Sequence, residues 1–452
     1  MTTQQVPTSP LTAIGGEAHP SFGEAVRVWF KIGILSFGGP AGQIATMHRI
    51  LVDEKKWIDE ARFLHALNFC MLLPGPEAQQ LATYVGWLLH RVRGGLVAGL
   101  LFIVPGALVM LGLSFLYVLA RGIPAVDGAL YGIKAAVLVI VVEAVIRIGK
   151  RGLKTRLLIG LAAAAFVGIF FLELPFPLIV IVAGLIGYLA ARTAPQSLGL
   201  APQTEAHAPP RPGRGRQAAT ATSVGLAVWW APVLLAVVAL GPGHVLVGLG
   251  VFFSKLAVVS FGGAYALLAY MAQQVVETHG WLQPHEVIDG LGLAETTPGP
   301  LILVTQFVGF LAAHRAAAPF DPLVAGTLGA AMATWTVFAP SFLWIFAGAP
   351  FIEDLRGNKR LTGALAAITA AVVGVILNLA VWFTLHVLFR DVAERHTGPL
   401  RWFALDPANL DLMAAGLTAV AVVLVFAFHR GLMATVGIMA LLGIAARLAF
   451  GS

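Results

Sequence analysis

A ten-residue segment occurs twice in this chain, as KIGILSFGGP from Lys31 to Pro40 and as KLAVVSFGGA from Lys255 to Ala264. The offset of 224 positions continues without a gap from residues 30–76 to residues 254–300, where 13 of the 47 aligned positions are identical. A Pro-Gly-Pro triplet closes both copies of this region. The chain therefore contains two related halves, and each half has an apolar stretch with one lysine and one glycine pair.

The composition is that of a polytopic membrane protein. Of the 452 residues, 58% are hydrophobic and only 11% are charged, whereas soluble domains carry about 25% charged residues. The net charge of +7 requires no nucleic-acid partner, because basic residues collect in the loops of inner-membrane proteins. The single cysteine, Cys70, excludes an internal disulfide framework and a cysteine metal site. No enzyme or nucleotide-binding signature is present, so we expect a non-enzyme without a cofactor.

We predict an all-α fold with four parts. These are a disordered tail (1–21), a first repeat (22–192), a basic Pro/Gly-rich linker (193–223) and a second repeat (224–452). The linker lacks core-forming residues and is expected to be flexible. Its arginines favour a cytoplasmic location. Residues 1–23 contain no Lys or Arg, so a signal peptide is not expected.

Two kinds of helix break recur in both halves, at Gly-Gly and at Pro-Gly-Pro. A broken helix is tolerated in a membrane only where its backbone is buried or lines a cavity. The half-helices around such a break direct N-terminal N–H groups into the bilayer, which suits an anion site at a repeat interface.

The Pro-Gly-Pro stretches, 63–90 and 287–313, leave the topology open. Each consists of two pieces too short to cross a ~30 Å core alone. If each stretch crosses once, we count 13 spans and inverted halves; if each dips and returns, 11 spans and parallel halves. The distribution of basic residues favours dipping, whereas analogy with transporters favours inverted repeats.

Lys31 and Lys255 are the first candidates for contacts with a dianion, because a lysine in an apolar span costs ~2.5–3.5 kcal/mol and usually faces a cavity. Snorkelling to the membrane interface is the alternative. Arg27 lies one turn before Lys31 and is predicted to act at an entrance. The other candidate substrate contacts are hydroxyl, amide and glycine positions near the breaks: Ser36, Gly38, Gly39, Gln79, Gln80, Ser260, Gly262, Gly263, Thr297 and Gln306. The alternatives for these residues are helix packing and hydrogen bonds to backbone carbonyls.

Three glutamates in or near spans, Glu77, Glu143 and Glu295, are candidates for gating or proton coupling. Helix capping or an ion pair with Lys31 is the alternative for Glu77, and an ion pair with Lys134 or Arg147 is the alternative for Glu143. The residues that break the helices are further gating candidates: Pro40, Pro74, Gly75, Pro76, Pro298, Gly299 and Pro300.

Two motifs resemble the chromate ion transporter family in its long, two-domain form. One runs from Phe30 to Pro40 (FKIGILSFGGP) and the other from Leu73 to Trp87 (LPGPEAQQLATYVGW). Ser260–Gly263 and Thr297–Pro300 match the second half of that family, although Ala264 stands where the first half has Pro40. The resemblance covers the chain after the tail. It implies efflux of chromate from the cytoplasm, sulfate handling in some members, and halves of opposite orientation.

We therefore expect a secondary transporter that exports chromate across the bacterial inner membrane and confers chromate resistance. The alternatives are a sulfate or general oxyanion transporter, a channel-like anion pore, and a membrane scaffold. The expected partners are chromate, sulfate and the lipid bilayer. The composition leaves open the oligomeric state, a homo-oligomer included.

Overall fold

The structure, a computed structural model, describes residues 20–199, 214–261, 264–349 and 359–450. In these ranges the chain is helical apart from one β-hairpin, β1 (Ala393–Thr397) and β2 (Leu400–Ala404). The first half contains α1 (Phe22–Leu35), α2 (Gly39–His48), α3 (Glu60–Cys70), α4 (Glu77–Ala120), α5 (Pro124–Gly152), α6 (Arg156–Leu172) and α7 (Phe176–Thr193). The second half contains α8 (Arg214–Leu240), α9 (Val245–Val259), α10 (Ala264–Gln273), α11 (Pro284–Thr296), α12 (Val304–Arg315), α13 (Pro322–Gly348), α14 (Lys359–Leu388), α15 (Leu412–Val422) and α16 (Leu432–Phe450).

Short 3₁₀ or π segments extend or link these helices at Arg49–Glu54, Pro195–Leu198, Gln274–Thr278, Leu301–Leu303, Pro407–Asn409 and Val423–Ala427. The predicted tail lies outside the described residues, apart from Pro20 and Ser21. The linker is described only in part, and α8 begins at Arg214, before the predicted position 224.

Helix α4 is two antiparallel helices joined by a reversal at His90 and Arg91, where φ is −137° and +55°. We call them α4a (residues 77–90) and α4b (residues 92–120). They pack through Gly86 and Gly94, since a Cβ on either glycine would overlap the carbonyl oxygen of the other. Gly309 on α12 and Gly329 on α13 pack in the same way in the second half. Glycines bring helix backbones this close in membrane proteins.

In the first half, two helical hairpins begin and finish at one end of the bundle. We call this the linker end, because α7 ends and α8 begins there. The Lys55 ammonium, after α2, lies 2.8 Å from the Glu24 carboxylate near the start of α1. The His90 ring, at the end of α4a, lies 5.5 Å from the Phe22 ring at the start of α1. The pairs α1–α2 and α3–α4a therefore dip into the bundle and return.

In the second half, the equivalent hairpins begin and finish at the opposite end. We call this the strand end, because the β-hairpin lies there. The Phe252 ring on α9 is 5.2 Å from the His279 ring after α10. Arg315 at the end of α12 donates to the Trp281 carbonyl at 2.7 Å and pairs with Glu286 at the start of α11. The pairs α9–α10 and α11–α12 therefore dip from the strand end.

Both expected span counts, 13 and 11, are wrong for the described residues, in which nine helices join the two ends: α4b, α5, α6, α7, α8, α13, α14, α15 and α16. The Pro-Gly-Pro stretches dip, but so do 22–47 and 245–275, which were expected to cross. Four crossings return the first half to the linker end, and α8 then carries the chain to the strand end. The two halves are therefore inverted although every broken segment re-enters.

Seven described helices are long and apolar enough to cross a membrane, which makes this a multi-pass membrane protein.

Candidate functional site at the repeat interface

The helix breaks at Ser36 and Ser260 have the same geometry. The backbone angles (φ, ψ) are −80°, 76° at Ser36 and −78°, 64° at Ser260. The next residue in each case, Phe37 or Phe261, donates its N–H two positions back, at 3.0 and 2.9 Å respectively. These are inverse γ-turns, which end a helix within one residue.

The breaks of one half bind the Pro-Gly-Pro loop of the other half. The Gly75 N–H donates to the Ser260 carbonyl at 3.0 Å, and the Gly299 N–H donates to the Ser36 carbonyl at 2.7 Å. The repeat aligns Ser36 with Ser260 and Gly75 with Gly299, so one bond is the symmetry equivalent of the other. The four breaks therefore meet at the centre of the molecule, between the halves.

Each Pro-Gly-Pro loop also lies against the middle of the other half's long helix. A Cβ on Gly106 of α4b would overlap the Pro298 carbonyl oxygen. A Cβ on Gly75 would lie 2.8 Å from the Ser341 hydroxyl of α13. Gly106 and Ser341 are equivalent in the repeat, because the later offset of 235 aligns them. The loops are thus clamped between a helix break and a long helix.

The predicted serine and threonine contacts are engaged with their own helices. The Ser36 hydroxyl donates to the Ile32 carbonyl at 2.6 Å, and the Ser260 hydroxyl donates to the Ala257 carbonyl at 2.8 Å. The Thr297 hydroxyl donates to the Leu293 carbonyl at 2.8 Å. All three are buried. In this conformation their hydroxyl protons satisfy helix carbonyls.

The glutamine amides stabilise the same region. Gln80 donates to the Pro74 carbonyl at 2.7 Å, Gln79 to the Thr83 hydroxyl at 3.0 Å, and Gln306 to the Ala107 carbonyl at 2.8 Å. Within the described residues, the Ser341 hydroxyl and the side-chain carbonyl oxygens of Gln79 and Gln80 are buried without a partner. The groups nearest the breaks that are left to meet a ligand are therefore backbone N–H groups and the Ser341 hydroxyl.

Helix N-termini supply those N–H groups. Gly38, with φ of +86°, caps α2, and Gly39 with Pro40 begins it. Glu77 is the first residue of α4 after Pro76 and is partly buried. A carboxylate at this position stabilises a helix start, as the capping alternative predicts. Gly262 and Gly263 lie outside the described residues, and Pro300 precedes the turn that starts α12.

The other two glutamates are paired. The Glu143 carboxylate lies 3.3 Å from the Arg147 guanidinium, so of its two predicted partners it pairs with Arg147. Glu295 is buried and accepts a hydrogen bond from the Tyr265 hydroxyl at 2.9 Å.

Lys31, Lys255 and Arg27 lie on exposed faces of their helices. The Lys31 ammonium is 3.9 Å from the Glu54 carboxylate, with more than half of the lysine side chain exposed. Ion pairs between groups this exposed contribute ~0–1 kcal/mol, so Lys31 is only weakly held by Glu54. Each lysine lies little more than one turn before a break. The structure does not bring either lysine among the buried serine, threonine and glutamine side chains around the breaks.

Sequence reasoning missed a buried charge cluster around Asp289 of α11. Its carboxylate, with no exposed area, accepts from the Tyr117 hydroxyl at 2.9 Å and lies 3.3 Å from Arg121 and 3.4 Å from Lys134. These partners come from α4b, its end and α5. The sequence signal for this cluster was a single aspartate in the apolar 287–313 stretch. The repeat aligns Asp289 with His65, so comparison of the two halves did not single it out.

The larger of two cavities among the described residues does not suit a dianion. Its volume is about 1020 Å³, and it lies between α4b, α8, α12 and α13 with an almost entirely apolar lining. A smaller cavity of about 660 Å³ has a polar and basic lining and reaches Gly38.

Comparison with known proteins agrees with this architecture of two broken repeats. The family model described as "Chromate transporter" matches residues 23–188 and 247–445, one region in each half. The chain belongs to the chromate transporter family. A chromate transport protein of Pseudomonas aeruginosa is 33% identical over 379 residues, covering 81% of this chain and 83% of its own. A chromate transport protein of Cupriavidus metallidurans is 27% identical over 380 residues, covering 83% and 86%.

Relatives of this transporter extend beyond proteins named for chromate. An uncharacterized transporter of Methanocaldococcus jannaschii is 26% identical over 371 residues, covering 82% of this chain and 86% of its own. No solved structure matches the chain.

Proposed function

We propose that this transporter exports chromate from the cytoplasm across the bacterial inner membrane and thereby confers chromate resistance. The observation that carries the proposal is the reciprocal pair of bonds, Gly75 to Ser260 and Gly299 to Ser36, which brings broken helices of both halves to one central point. Half-helices that meet at a repeat interface are the usual setting of a transported anion. The chromate transport proteins among its relatives support the substrate.

The linker end is the cytoplasmic end in this proposal. Short loops on the cytoplasmic side of membrane proteins carry an excess of Lys and Arg. The loops and helix ends at the linker end contain many such residues, among them Arg49, Lys55, Lys56, Arg91, Arg93, Lys150, Arg151, Lys154, Arg156 and Arg192. Export therefore runs from the linker end to the strand end.

Sulfate is the second candidate substrate, because it is also a tetrahedral dianion and the neutral amides and backbone N–H groups around the breaks do not distinguish the two. A channel-like pore is the alternative mechanism. The close packing of the Pro-Gly-Pro loops favours a carrier, since a Cβ on Gly106 of α4b would overlap the Pro298 carbonyl oxygen.

Export is expected to follow the membrane potential without an obligatory proton. One charge moved across 100 mV yields ~2.3 kcal/mol, so a dianion yields ~4.6 kcal/mol. At ~1.4 kcal/mol per tenfold, this supports a gradient above roughly 10³-fold. In everted vesicles, with the potential clamped by potassium and valinomycin, uptake of labelled chromate should follow the potential and saturate.

The glutamates provide the decisive variants. Glu77→Gln, Glu143→Gln and Glu295→Gln should each keep potential-driven uptake. Uptake that follows a pH gradient at zero potential, and is uncoupled by one of these variants, would establish proton antiport instead. Uptake of sulfate but not chromate would replace the substrate, and linear, unsaturable uptake would favour the pore.

Lys31 and Lys255 remain proposed substrate contacts, as cations near the two breaks. Lys31→Ala and Lys255→Ala should each lower chromate uptake at least tenfold, because a desolvated dianion needs positive charge. Arginine should substitute poorly, since its planar guanidinium offers a different donor geometry. Lys154→Ala, which removes an exposed lysine remote from the breaks, is the matched control. Normal uptake by both lysine variants would assign these residues to snorkelling.

A further inference from the structure

A cavity of about 660 Å³ lies beside α5 and reaches the helix break of the first half. One wall is the last part of α5, including Glu143 and Arg147. The turn between α15 and α16, including Arg430, forms another wall. Tyr265 of α10 and Gly38, the cap of α2, lie at its inner end. The cavity thus connects elements of both halves.

The lining is strongly cationic. Arg147, Lys150, Arg151 and Arg430 face the cavity together with a single carboxylate, Glu143. Glu143 pairs with Arg147 at 3.3 Å. Within the described ranges, Lys150, Arg151 and Arg430 form no ion pair, so three positive charges are left without a counter-charge.

Such an arrangement concentrates anions. A concave site lined by one sign of charge raises the local concentration of an oppositely charged ligand, and on-rates rise by about 10- to 10³-fold. The effect is larger for a dianion than for a monoanion, because the Coulomb energy scales with the ligand charge. The N-terminus of α2 lies at the inner end, and its free N–H groups favour an anion that has passed the cations.

We propose that this cavity is the cytoplasmic vestibule of the transporter, where a tetrahedral dianion binds to Lys150, Arg151 and Arg430 before it reaches the break at Gly38. The vestibule rests on the proposed function for the identity of the dianion. It assigns to α5 and the α15–α16 turn a role that the repeat motifs do not indicate, since neither segment belongs to the repeated lysine and Pro-Gly-Pro regions.

The test compares two triple variants that remove the same charge from the same end. Lys150→Gln/Arg151→Gln/Arg430→Gln empties the vestibule of its unpaired cations. Lys154→Gln/Arg156→Gln/Arg192→Gln removes three basic residues outside its lining. In everted vesicles, the vestibule variant should raise the KM for chromate at least tenfold, leave kcat within about twofold, and flatten the dependence of KM on ionic strength. The control should keep wild-type values.

A binding measurement separates the vestibule from transport itself. Ile146 lines the cavity and is exposed, and Thr193 is exposed at the same end outside the lining. In protein with Ile146→Cys, chromate or sulfate should slow modification by an impermeant anionic thiol reagent, whereas protein with Thr193→Cys should show no protection. The native Cys70 is buried and provides the background.

The outcomes distinguish the two proposals. If wild-type vesicles take up neither dianion, the proposed function fails, whereas protection of Ile146→Cys would still support an anion site. If wild-type protein transports and both triple variants have the same KM, or if neither dianion protects Ile146→Cys, the vestibule is overturned.

Discussion

Gly106→Val is expected to abolish transport. A Cβ on Gly106 would overlap the Pro298 carbonyl oxygen and lie 2.7 Å from the Leu303 side chain. The Pro298 carbonyl belongs to the backbone of a loop that cannot easily move, because the Gly299 N–H in the same loop donates to the Ser36 carbonyl at 2.7 Å. Overpacking of a tight interface costs about 1–3 kcal/mol or more when the backbone must shift. Here the shift would also pull apart the two broken regions.

Gly112→Val is the matched control on the same helix, because a Cβ at that glycine has no atom within 4 Å. Both variants carry the same small gain of helix propensity, because valine is a better helix former than glycine. The measurements are potential-driven uptake and the amount of monodisperse protein in detergent. Wild-type uptake by Gly106→Val would show that the Pro-Gly-Pro loop moves freely from α4b, and the central clamp would then not be part of the transport site.

The repeat of lysine, Gly-Gly and Pro-Gly-Pro was enough to predict two halves and the position of the breaks, whereas their opposite orientation was implied only by the resemblance to the chromate ion transporter family. It was not enough to predict which broken segments cross. The stretch 22–47 is long enough to span a bilayer, and hydropathy does not reveal direction. The re-entrant path depends on contacts such as Lys55 with Glu24, between residues 31 positions apart.

The residues that form the polar site could be predicted from the sequence, but their arrangement could be predicted only in part. The glutamines and serines near the breaks do lie together, because each flanks a break. Their hydrogen bonds, such as Gln43 to the Gly299 carbonyl at 2.5 Å, join residues 256 positions apart and no local pattern specifies them. The basic vestibule could not be predicted for the same reason, because its cations come from distant parts of the chain, α5 and a turn near residue 430.

Helix α5 carries basic residues on both sides of the centre of the molecule, one in the vestibule and one in the Asp289 cluster. Arg147 lies in the vestibule, and Lys134 lies nearer the strand end beside Asp289. Each has a carboxylate within ion-pair distance, Glu143 and Asp289 respectively. The two pairs differ in burial, because Glu143 is one-third exposed whereas Asp289 has no exposed area. Removing the buried partner should therefore have the larger structural effect.

Asp289→Ala is expected to destabilise the protein by about 3–5 kcal/mol, the usual cost of removing one partner from a buried ion pair. The variant would leave Lys134, whose side chain is four-fifths buried, without its carboxylate, and the Tyr117 hydroxyl without its acceptor. Asp289→Leu/Lys134→Met should recover at least half of the loss, since similar-sized apolar residues replace buried ion pairs at little cost. Asp391→Ala, at an exposed aspartate without an ion pair among the described residues, is the control. Thermal unfolding followed by size-exclusion chromatography should rank Asp391→Ala with wild type, the double variant next and Asp289→Ala lowest. A midpoint for Asp289→Ala equal to that of wild type would mean that Lys134 and Arg121 are solvated without Asp289, and that the cluster does not stabilise the packing of α11 on α5.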